Sequence, residues 1–518
     1  MPVPQFFVFL LLSLLGGVSF NLHAQPLDEK KINEIMQSFN VPGAAIGIVH
    51  KGKVIAAKGF GVKTIGTADP IDGDSIFKIA SNTKAFTAAA LAILVDEGKI
   101  SWQGKVQSYL TDFKLYDPWV SQQFNLIDLL THRSGLGLGA GDLMLWPEPS
   151  SFTRQEVLHN LRYLKPTGEF RADYAYDNLL YIVAGEVIPA VTGQSWEQFV
   201  EQRIMQPLGM KRCFAGNVSE QMQQDVATPH GMVDGQLQTI IRPINQDKPS
   251  VSAPAGGIQC SLNDMLLWVK LQLAEGKISE KQRLFSEKQH KMMWQPQTIM
   301  PLYASNKRRD NSHFSAYALG WRVNDIDGTL QVHHTGSLAG MYSFVSLLPE
   351  LDLGFVVLTN QQSSAARSSL MYTVMKPYLG DKKTDWLAEF KPRKSINKQN
   401  QASSQTPSKR TKALLADTGN HDYLGAYDDP WLGRFIIEPQ QDYLQVRALR
   451  VEKFVGDLYD FGPDQLLIRW HDRSLEADAI ISFKRDDNGG VSGMTIEPES
   501  SKIDFSYDFQ DLDFTKVN

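Results

Sequence analysis

A serine and a lysine stand one helical turn apart in the stretch SNTK at residues 81–84. The residues that follow, 85–98, are rich in alanine and leucine and close on a glycine, which predicts a helix that begins near Ser81. Side chains three residues apart share one face of a helix, so the Ser81 hydroxyl and the Lys84 amine can meet. A lysine whose pKa is lowered by burial or by neighbouring charge can accept the serine proton. The pair therefore suggests acyl transfer through a serine ester.

The Ser-x-x-Lys pattern occurs twice more, in contexts that open no helix. Residues 75–78 lie in a short apolar run, and residues 395–398 lie in a basic, polar stretch. We interpret both copies as chance matches. A serine that caps a helix, followed by an exposed lysine, would produce the same pattern at residues 81–84. Other residues must therefore support catalysis at Ser81.

A second proton-transfer group is offered by Tyr176, which with Asn178 forms the chain's only Tyr-x-Asn. Both residues fall on a predicted loop ahead of a helix. A phenol close to a cationic lysine is expected to have a lowered pKa and could move protons. Asn178 could bond the Lys84 amine or a substrate amide. The alternative for Tyr176 is a half-buried loop tyrosine with no role in chemistry.

A third candidate segment, HHTGS at residues 333–337, leads into a predicted strand over 343–348. Its glycine, Gly336, would let a substrate approach the backbone, and the N–H beyond it could face a developing oxyanion. Adjacent histidines point to opposite sides of a strand, which argues against a shared metal. Plain polar surface is the alternative. We predict no metal site and no cofactor.

The elements that must position these groups are predicted at both ends of the first 385 residues. Apolar runs at 44–49 and 54–60 predict a hairpin, and runs at 343–348 and 354–359 predict two strands around a turn. Helices are predicted between them, including 178–192 and 263–275. The expected fold class is α/β (α+β): an antiparallel sheet assembled from both ends, flanked by helices, with a helical subdomain.

The chain of 518 residues is long enough for two or more domains. A hydrolase domain is predicted over 27–385 and a basic polar linker over 386–420. From 421 to 518, short β-rich runs separated by turn signals predict a small all-β, barrel-like domain. We interpret the linker as solvated chain, and electrostatic contact with an anionic cell-envelope surface is the alternative.

Composition restricts the function and the compartment. A net charge of −5 argues against a nucleic-acid partner. The apolar run at 6–15, followed by a small residue at position 24, predicts a signal peptide over 1–24, although no lysine or arginine precedes it. The predicted location is therefore the periplasm or the exterior. The two cysteines, Cys213 and Cys260, could pair in such a compartment or remain buried thiols.

SNTK, YDN and HTG, in this order and with wide gaps, resemble the serine β-lactamase and penicillin-binding-protein-like family, and more narrowly its class C β-lactamase and esterase branch. The stretches PGAAIGIV, LLTHRSGL, YIVAGEVI, PAGGIQCSLNDM and HHTGSLAGM are similar to that family as well. The resemblance covers residues 27–379 and implies a β-lactamase/transpeptidase-like fold. The last hundred residues resemble β-barrel modules of some relatives, which could form one wall of the active cleft.

The resemblance also implies roles for individual residues. Ser81 would be the nucleophile and Lys84 its base. Tyr176 would protonate the leaving group and activate the deacylating water. The backbone N–H groups of Ser81 and Ser337 would form the oxyanion hole. The residues implied to bind or orient substrate are Asn178, His334, Thr335 and Gly336.

One departure from the family pattern concerns the substrate. Lactam-hydrolysing members usually carry Lys-Thr-Gly in the third motif, whereas here the first position is His334, which is mostly neutral near pH 7. The same departure occurs in esterase, D-amino-acid peptidase and amide hydrolase relatives, and it argues against efficient β-lactam turnover. Asp177 is interpreted as a solvent-facing side chain, with recognition of a substrate amine as the alternative.

The predicted function is an exported serine hydrolase that cleaves an ester or amide bond of a small molecule or peptide through an acyl-enzyme on Ser81. The alternatives are β-lactamase or D-amino-acid peptidase activity, or a penicillin-recognising or cell-wall-binding protein without turnover. The loops 139–152 and 301–316 are expected to line the pocket with apolar side chains. The sequence leaves the oligomeric state undecided.

Overall fold

The computed structural model describes residues 27–241, 250–391, 411–417 and 419–517. The predicted signal peptide and most of the predicted linker lie outside these ranges. None of the helices within them is long and apolar enough to cross a membrane.

An eight-stranded antiparallel sheet forms the centre of the first domain. Its strands, in spatial order, are β10 (Thr298–Ile299), β11 (Ser315–Tyr317), β12 (Arg322–Ile326), β13 (Thr329–Leu338), β14 (Met341–Leu348), β15 (Leu353–Thr359), β1 (Gly43–His50) and β2 (Lys53–Gly61). β1 pairs with β15, so that Ala44 lies opposite Thr359. The prediction of an antiparallel sheet built from both ends of the domain is confirmed.

Thirteen helices cover this sheet or build the helical subdomain beside it in the described residues. They are α1 (Glu29–Ser38), α2 (Thr83–Asp96), α3 (Pro118–Gln123), α4 (Leu126–Leu130), α5 (Arg154–Asn160), α6 (Leu179–Thr192), α7 (Trp196–Val200), α8 (Gln206–Leu208), α9 (Leu262–Leu273), α10 (Glu287–Trp294), α11 (Ala304–Asp310), α12 (Ser364–Met375) and α13 (Trp386–Phe390).

Helix α2, which begins two residues after Ser81, is buried on every side. Twelve of its fourteen residues are buried, as expected for a helix that is apolar all round. Phe86 on α2 stacks on Trp268 of α9, with ring centroids 3.9 Å apart. The packing of α2 therefore fixes the position of the site residues at its N-terminus.

Three small sheets complete the first domain. They consist of β3 (Ile76–Lys78) with β7 (Gln259–Ser261) and β4 (Cys213–Phe214), β5 (His230–Val233) with β6 (Gln236–Thr239), and β8 (Lys277–Ser279) with β9 (Gln282–Arg283). Cys213 and Cys260 lie directly opposite each other on β4 and β7, and they form a disulfide. Of the two possibilities that the sequence left open, the structure has the paired one.

The C-terminal domain is a closed antiparallel barrel of eight strands. They are β16 (Gly425–Asp429), β17 (Gly433–Gln440), β18 (Tyr443–Ala448), β19 (Val455–Gly462), β20 (Gln465–Trp470), β21 (Ala479–Arg485), β22 (Val491–Pro498) and β23 (Asp513–Val517). Inward-facing residues alternate with outward-facing ones along strands such as β18, and they fill the interior. The predicted small all-β domain is confirmed, and it is a barrel.

Both ends of the predicted linker are structured where the structure describes them. Helix α13 packs against α12, and the ring of Trp386 lies 4.9 Å from that of Tyr372. At the other end, the N–H of Ala413 donates to Leu458 O of the barrel, and Leu444 N donates to Ala413 O. Residues 392–410, which hold most of the basic side chains, lie outside the described residues.

The barrel contacts the helical subdomain directly. Arg450 of the barrel forms an ion pair with Glu156 on α5 at 2.9 Å, and Asn160 Nδ2 donates to Trp431 O at 2.8 Å. The buried carboxylate of Asp508 accepts hydrogen bonds from the N–H groups of Gly141 and Leu143, the latter at 3.2 Å. This interface places one edge of the barrel beside the predicted site.

Candidate active site

Ser81 lies on a single helical turn, Ala80–Asn82, immediately before α2. Ala80 has a positive φ of 49°, a conformation that non-glycine residues rarely adopt and that is common near functional sites. Asn82 Nδ2 donates to Ser343 Oγ at 2.7 Å, and Ser343 Oγ donates to Ile79 O at 2.6 Å. The sheet therefore holds the turn that presents the serine.

The Lys84 amine has three close neighbours. It donates to Asn178 Oδ1 at 2.7 Å and to Ala255 O at 2.9 Å, and it lies 3.3 Å from Ser81 Oγ. A neutral amine has two N–H groups and one lone pair. Because the two carbonyl oxygens can only accept, they take both N–H groups, and the lone pair remains for the Ser81 hydroxyl. This arrangement suits a general base.

Burial adjusts the proton affinity of Lys84 for this role. Removal from water lowers the pKa of the amine from 10.5 to about 7, and the Arg322 guanidinium contributes to that decrease. The carboxylates of Asp142 and Asp177 oppose it. A substantial fraction of the amine is therefore neutral at pH 7, as the predicted chemistry requires.

Tyr176 is also buried, but its pKa moves in the direction opposite to the prediction. Burial raises the pKa of the phenol, and the nearby Ser81 hydroxyl opposes only part of that rise. The prediction of a lowered pKa is therefore wrong, because loss of solvent dominates even though the Lys84 nitrogen lies 4.9 Å from the ring centroid. The phenol oxygen has no well-formed hydrogen bond within the described residues. A phenol of this kind stays protonated near pH 7, so it can donate a proton, and little phenolate is present to act as a base.

Asp177 is fully buried, so its interpretation as a solvent-facing side chain is wrong. Its backbone N–H donates to His132 Nδ1 at 3.1 Å. Burial raises the pKa of its carboxyl to about 7, and backbone N–H groups at the start of α6 oppose the rise. Asp177 is therefore only partly ionised near pH 7, and its ionised form raises the pKa of Lys84.

His334 lies beneath the site. Its Nε2 lies 2.9 Å from the Tyr317 hydroxyl and its Nδ1 lies 2.7 Å from Thr335 O. Burial lowers its pKa well below 6.5, and the charges of Arg322 and Lys84 lower it further. The imidazole is therefore neutral, with Nδ1 donating to the carbonyl and Nε2 accepting from the tyrosine. Both ring nitrogens of His334 have hydrogen-bond partners within the protein, so this side chain holds β13 in place and does not face the cavity.

Gly336 is needed for packing of the chain against itself. A Cβ atom at this position would lie 2.2 Å from Ile79 O and 2.3 Å from Ser343 Oγ. Strand β13 can therefore pass beside the Ser81 turn only with glycine at this position. The sequence suggested that the glycine admits substrate, whereas in the structure the close neighbour is the backbone that presents the nucleophile.

A cavity of about 520 Å³ opens above Ser81. Of the predicted site residues, it is lined by Ser81, Tyr176, Asn178, Thr335 and Ser337. The three motifs thus meet in one place, although they are separated by about 90 and 160 residues of sequence. Lys84 contacts Ser81 from behind the cavity wall.

The barrel forms part of the cavity wall, as the resemblance allowed. Its contributions, listed in chain order, are Lys453, Ser474, Leu475, Glu476, Lys502, Asp504, Phe505, Ser506 and Tyr507. The cavity above Ser81 is therefore formed by two domains, and both determine its size and shape.

The predicted pocket loops contribute fewer side chains than expected. From the first loop, Trp146, Pro147 and Glu148 line the cavity, whereas residues 143–145 are buried in the core. From the second, Tyr303 lines the cavity, whereas Phe314 does not and is 43% exposed. Apolar character alone could not separate core from pocket.

Arg322 and Asp142 are the main site residues that sequence reasoning missed. Arg322 on β12 lines the cavity, and its Nη1 lies 3.5 Å from Thr335 Oγ1. Its buried Nε has no hydrogen-bond partner in the part of the chain that the structure describes. Asp142 is fully buried and accepts a hydrogen bond from Asn178 Nδ2 at 2.7 Å. Neither stands in a recognisable motif, so no sequence signal marked them.

The extra copy of the Ser-x-x-Lys pattern at residues 75–78 is built differently. Ser75 Oγ donates to Asp72 Oδ1 at 2.8 Å, and Lys78 forms an ion pair with Glu148 at 3.0 Å. The copy at residues 395–398 lies outside the described residues.

In the described residues, no group of three or more histidine, cysteine or acidic side chains could hold a metal ion.

Comparison with known proteins gives two family matches. Residues 29–377 match the family described as Beta-lactamase, and residues 410–516 match a Domain of unknown function (DUF3471). The chain is similar to "Unguisins hydrolase ungD'" of Aspergillus campestris, at 27% identity over 70% of this chain and 66% of that protein. It is also similar to "Protein flp" of Staphylococcus aureus, at 26% identity over 64% of this chain and 62% of that protein. The match thus spans just under two thirds of either relative.

Two solved structures share the fold. An octameric penicillin-binding protein homologue from Pyrococcus abyssi superposes with a TM-score of 0.60 at 22% identity, covering 94% of this chain and 99% of the other. A class C beta lactamase from Rhodobacter sphaeroides superposes with a TM-score of 0.54 at 19% identity, covering 68% of this chain and 99% of the other.

Proposed function

The chain belongs to the beta-lactamase family, and from that premise we propose that it is a serine hydrolase that cleaves an ester or amide through an acyl-enzyme on Ser81. The observation that carries the proposal is the Lys84 amine. Its two N–H groups are held by carbonyl oxygens, its pKa is about 7, and its lone pair is left for the Ser81 hydroxyl 3.3 Å away.

Acylation follows from this geometry. Neutral Lys84 takes the Ser81 proton while Oγ attacks the substrate carbonyl carbon. The carbonyl oxygen becomes an oxyanion, which the backbone N–H groups of Ser81 and Ser337 would stabilise; both residues line the cavity. Collapse of the tetrahedral intermediate breaks the bond to the leaving group, which takes a proton from Tyr176, and the Lys84 ammonium restores that proton.

Deacylation reverses the roles. Water attacks the ester of Ser81, and Lys84, neutral again, accepts the water proton. Collapse of the tetrahedral intermediate breaks the bond between the acyl carbon and Ser81 Oγ, the acid leaves, and the Lys84 ammonium returns the proton to Oγ. The raised pKa of Tyr176 supports its use as a proton donor, because a phenolate would be scarce near pH 7. Water activation is therefore assigned to Lys84. The resemblance to the family had implied that Tyr176 activates the deacylating water.

The substrate is proposed to carry an acidic group. Arg322 presents a cation beside Thr335 in the cavity, and its Nε has no partner among the described residues. A carboxylate is the group that a guanidinium binds best, through paired N–H donors. This cation stands on β12, next to the position where His334 replaces the lysine of lactam-hydrolysing members.

Export to the periplasm or exterior remains part of the proposal. The disulfide between Cys213 and Cys260 supports it, because such bonds persist mainly in oxidising compartments. Contact with an anionic envelope surface is proposed only as a secondary role for the basic linker, residues 386–420.

The test is active-site labelling with a fluorophosphonate, followed by mass mapping, and turnover of a three-substrate panel. We expect the adduct on Ser81, cleavage of a p-nitrophenyl ester, and slow or no cleavage of a chromogenic cephalosporin. A D-alanyl peptide tests the peptidase alternative. An adduct elsewhere would refute the proposal, and a long-lived Ser81 adduct without turnover of any panel member would favour a binding protein.

A further inference from the structure

One segment of the barrel, residues 504–508 between β22 and β23, reaches into the hydrolase domain. The Phe505 ring meets the Tyr176 ring edge to face, with centroids 5.8 Å apart. A Cβ atom on Gly139 would lie 2.5 Å from Phe505 O, and Gly139 has a positive φ of 73°. The 504–508 segment is therefore packed against the loop before Asp142 with no room for a side chain.

Within this segment, Ser506 is joined to the Lys84 amine by three hydrogen bonds in series. Ser506 Oγ donates to Asp142 Oδ2 at 2.7 Å. Asn178 Nδ2 donates to the same Asp142 oxygen at 2.7 Å. Asn178 Oδ1 in turn accepts from Lys84 Nζ at 2.7 Å. The chain of contacts thus runs from the barrel to the proposed base.

This series fixes an orientation that matters for the base. An amide side chain can be turned over, which would exchange its oxygen and nitrogen. Burial raises the pKa of the Asp142 carboxyl well above its ordinary value. Its Oδ2 atom nevertheless accepts from both Ser506 and the Asn178 nitrogen, so the amide oxygen of Asn178 faces Lys84. Asp142 is itself held by the barrel, since Asp508 accepts the N–H groups on either side of it. Asp142, Asn178 and Asp508 are all buried.

We infer that Ser506 of the barrel is a positioning residue for the hydrolysis proposed above, acting through Asp142 and Asn178 on the Lys84 amine. The barrel then has a part in the chemical step as well as in the cavity wall. The inference rests on the proposed function of Ser81 and Lys84.

The test compares Ser506→Ala with Ser506→Thr in the full chain. We expect Ser506→Ala to lower kcat for the p-nitrophenyl ester roughly five- to tenfold, the effect of one lost hydrogen bond, with KM within about twofold. The rate constant for fluorophosphonate labelling of Ser81 should fall by the same factor. Ser506→Thr, which keeps a hydroxyl, should restore both. The control is Ser492→Ala, which removes an exposed barrel hydroxyl that donates to Lys484 O.

Three results would overturn the inference: unchanged kcat and labelling in Ser506→Ala, a change confined to KM, or a loss that Ser506→Thr does not restore. The second of these would reduce Ser506 to a wall of the cavity. If wild-type protein is labelled at Ser81 and the variant equals it, only this inference fails. If wild-type protein is not labelled at Ser81, the proposed function fails and this inference with it.

Discussion

Lys84 holds Asn178 more closely than it holds Ser81: its nitrogen lies 2.7 Å from the amide oxygen and 3.3 Å from the serine oxygen. In a neutral amine the shorter contact uses an N–H group, and the longer one is left to the lone pair. The asparagine thus sets the direction in which the lysine accepts a proton. Catalysis at Ser81 depends on this orientation as much as on the spacing of the two residues in sequence.

Loss of either member of the Ser81–Lys84 pair should abolish most of the activity. We expect Ser81→Ala and Lys84→Met each to lower kcat/KM by roughly 10³-fold or more, and the double variant to be no worse than either, because the groups act as a unit. The measurement is ester turnover, with fluorophosphonate labelling as a second readout. Ser395→Ala, in the sequence-matched copy of the pattern, is the control and should be inert. Additive losses in the double variant would contradict a shared role.

The pH dependence of the Ser81 labelling rate should follow the loss of the proton from the Lys84 ammonium. Since burial lowers the pKa of the amine to about 7, the ammonium predominates below that pH and cannot accept a proton. The labelling rate should therefore rise with pH through a limb centred near 7 and then level off. Measurement of the second-order labelling rate from about pH 5 to 9 checks this. A flat profile over that range would exclude Lys84 as the base.

Removal of the Asp177 charge should shift the rise of the Ser81 labelling rate to lower pH. The Asp177 carboxylate raises the pKa of Lys84, so Asp177→Asn should make the amine neutral at lower pH. The exposed Asp173 provides the matched control: Asp173→Asn should leave the limb in place. The same pH series of labelling rates measures both variants. A limb that moves to higher pH in Asp177→Asn would show that the charge acts in another way.

Tyr176→Phe should discriminate between leaving groups. The raised pKa keeps the phenol protonated and so available as a proton donor, and a donor matters most when the leaving group is strongly basic. We expect a loss of roughly 100-fold or more for an anilide or peptide substrate and of less than about tenfold for a p-nitrophenyl ester. Parallel kinetics on the two substrates give the ratio. Equal losses on both would assign Tyr176 to another step.

Arg322→Gln should change the preference for acidic substrates. With the cation gone from the cavity, KM for an ester that bears a carboxylate should rise roughly tenfold or more, an estimate based on a charge-assisted hydrogen bond. KM for the matched neutral ester should change far less. Steady-state kinetics on the two esters measure the difference. A uniform change on both would mean that Arg322 has only a structural role.

Gly336→Ala should damage the site by displacing the backbone. The new methyl group would lie 2.2 Å from Ile79 O, and overpacking of this kind costs about 1–3 kcal/mol of the free energy of unfolding. We expect a lower Tm together with a large fall in kcat, because Ile79 stands two residues before Ser81. Gly168→Ala is the control, since its nearest neighbouring atom would be 3.9 Å away. Full activity in Gly336→Ala would contradict the packing role.

Local periodicity and composition were sufficient for much of this molecule. The alternation and turn signals after residue 421 predicted the small β domain, and the alanine-rich run after Ser81 predicted α2. The helical spacing of Ser81 and Lys84 was also local, so their contact could be predicted without knowledge of the fold. The order of three short motifs identified the family, because each motif carries its own chemistry.

Burial, by contrast, was decided by the tertiary structure. Asp177 is polar and stands on a loop, yet it is enclosed completely. The pKa of Tyr176 rises because desolvation outweighs the Ser81 hydroxyl and the Arg322 charge, and a sequence contains no measure of desolvation. The close approach of Gly336 to Ile79 joins positions more than 250 residues apart, and only the packing of β13 against the Ser81 turn defines it.

The sequence by itself determined which groups can do chemistry: a serine and a lysine on one helical face, a phenol, and a strand with backbone donors. Only the tertiary structure decided their protonation and orientation. It assigned the lone pair of Lys84 to Ser81 and added Arg322 and Asp142 from unmarked positions. It also brought Ser506 from another domain into the same hydrogen-bonded series. The physical reason is that side-chain identity is local, whereas solvent exclusion and hydrogen-bond partnership depend on residues distant in the chain.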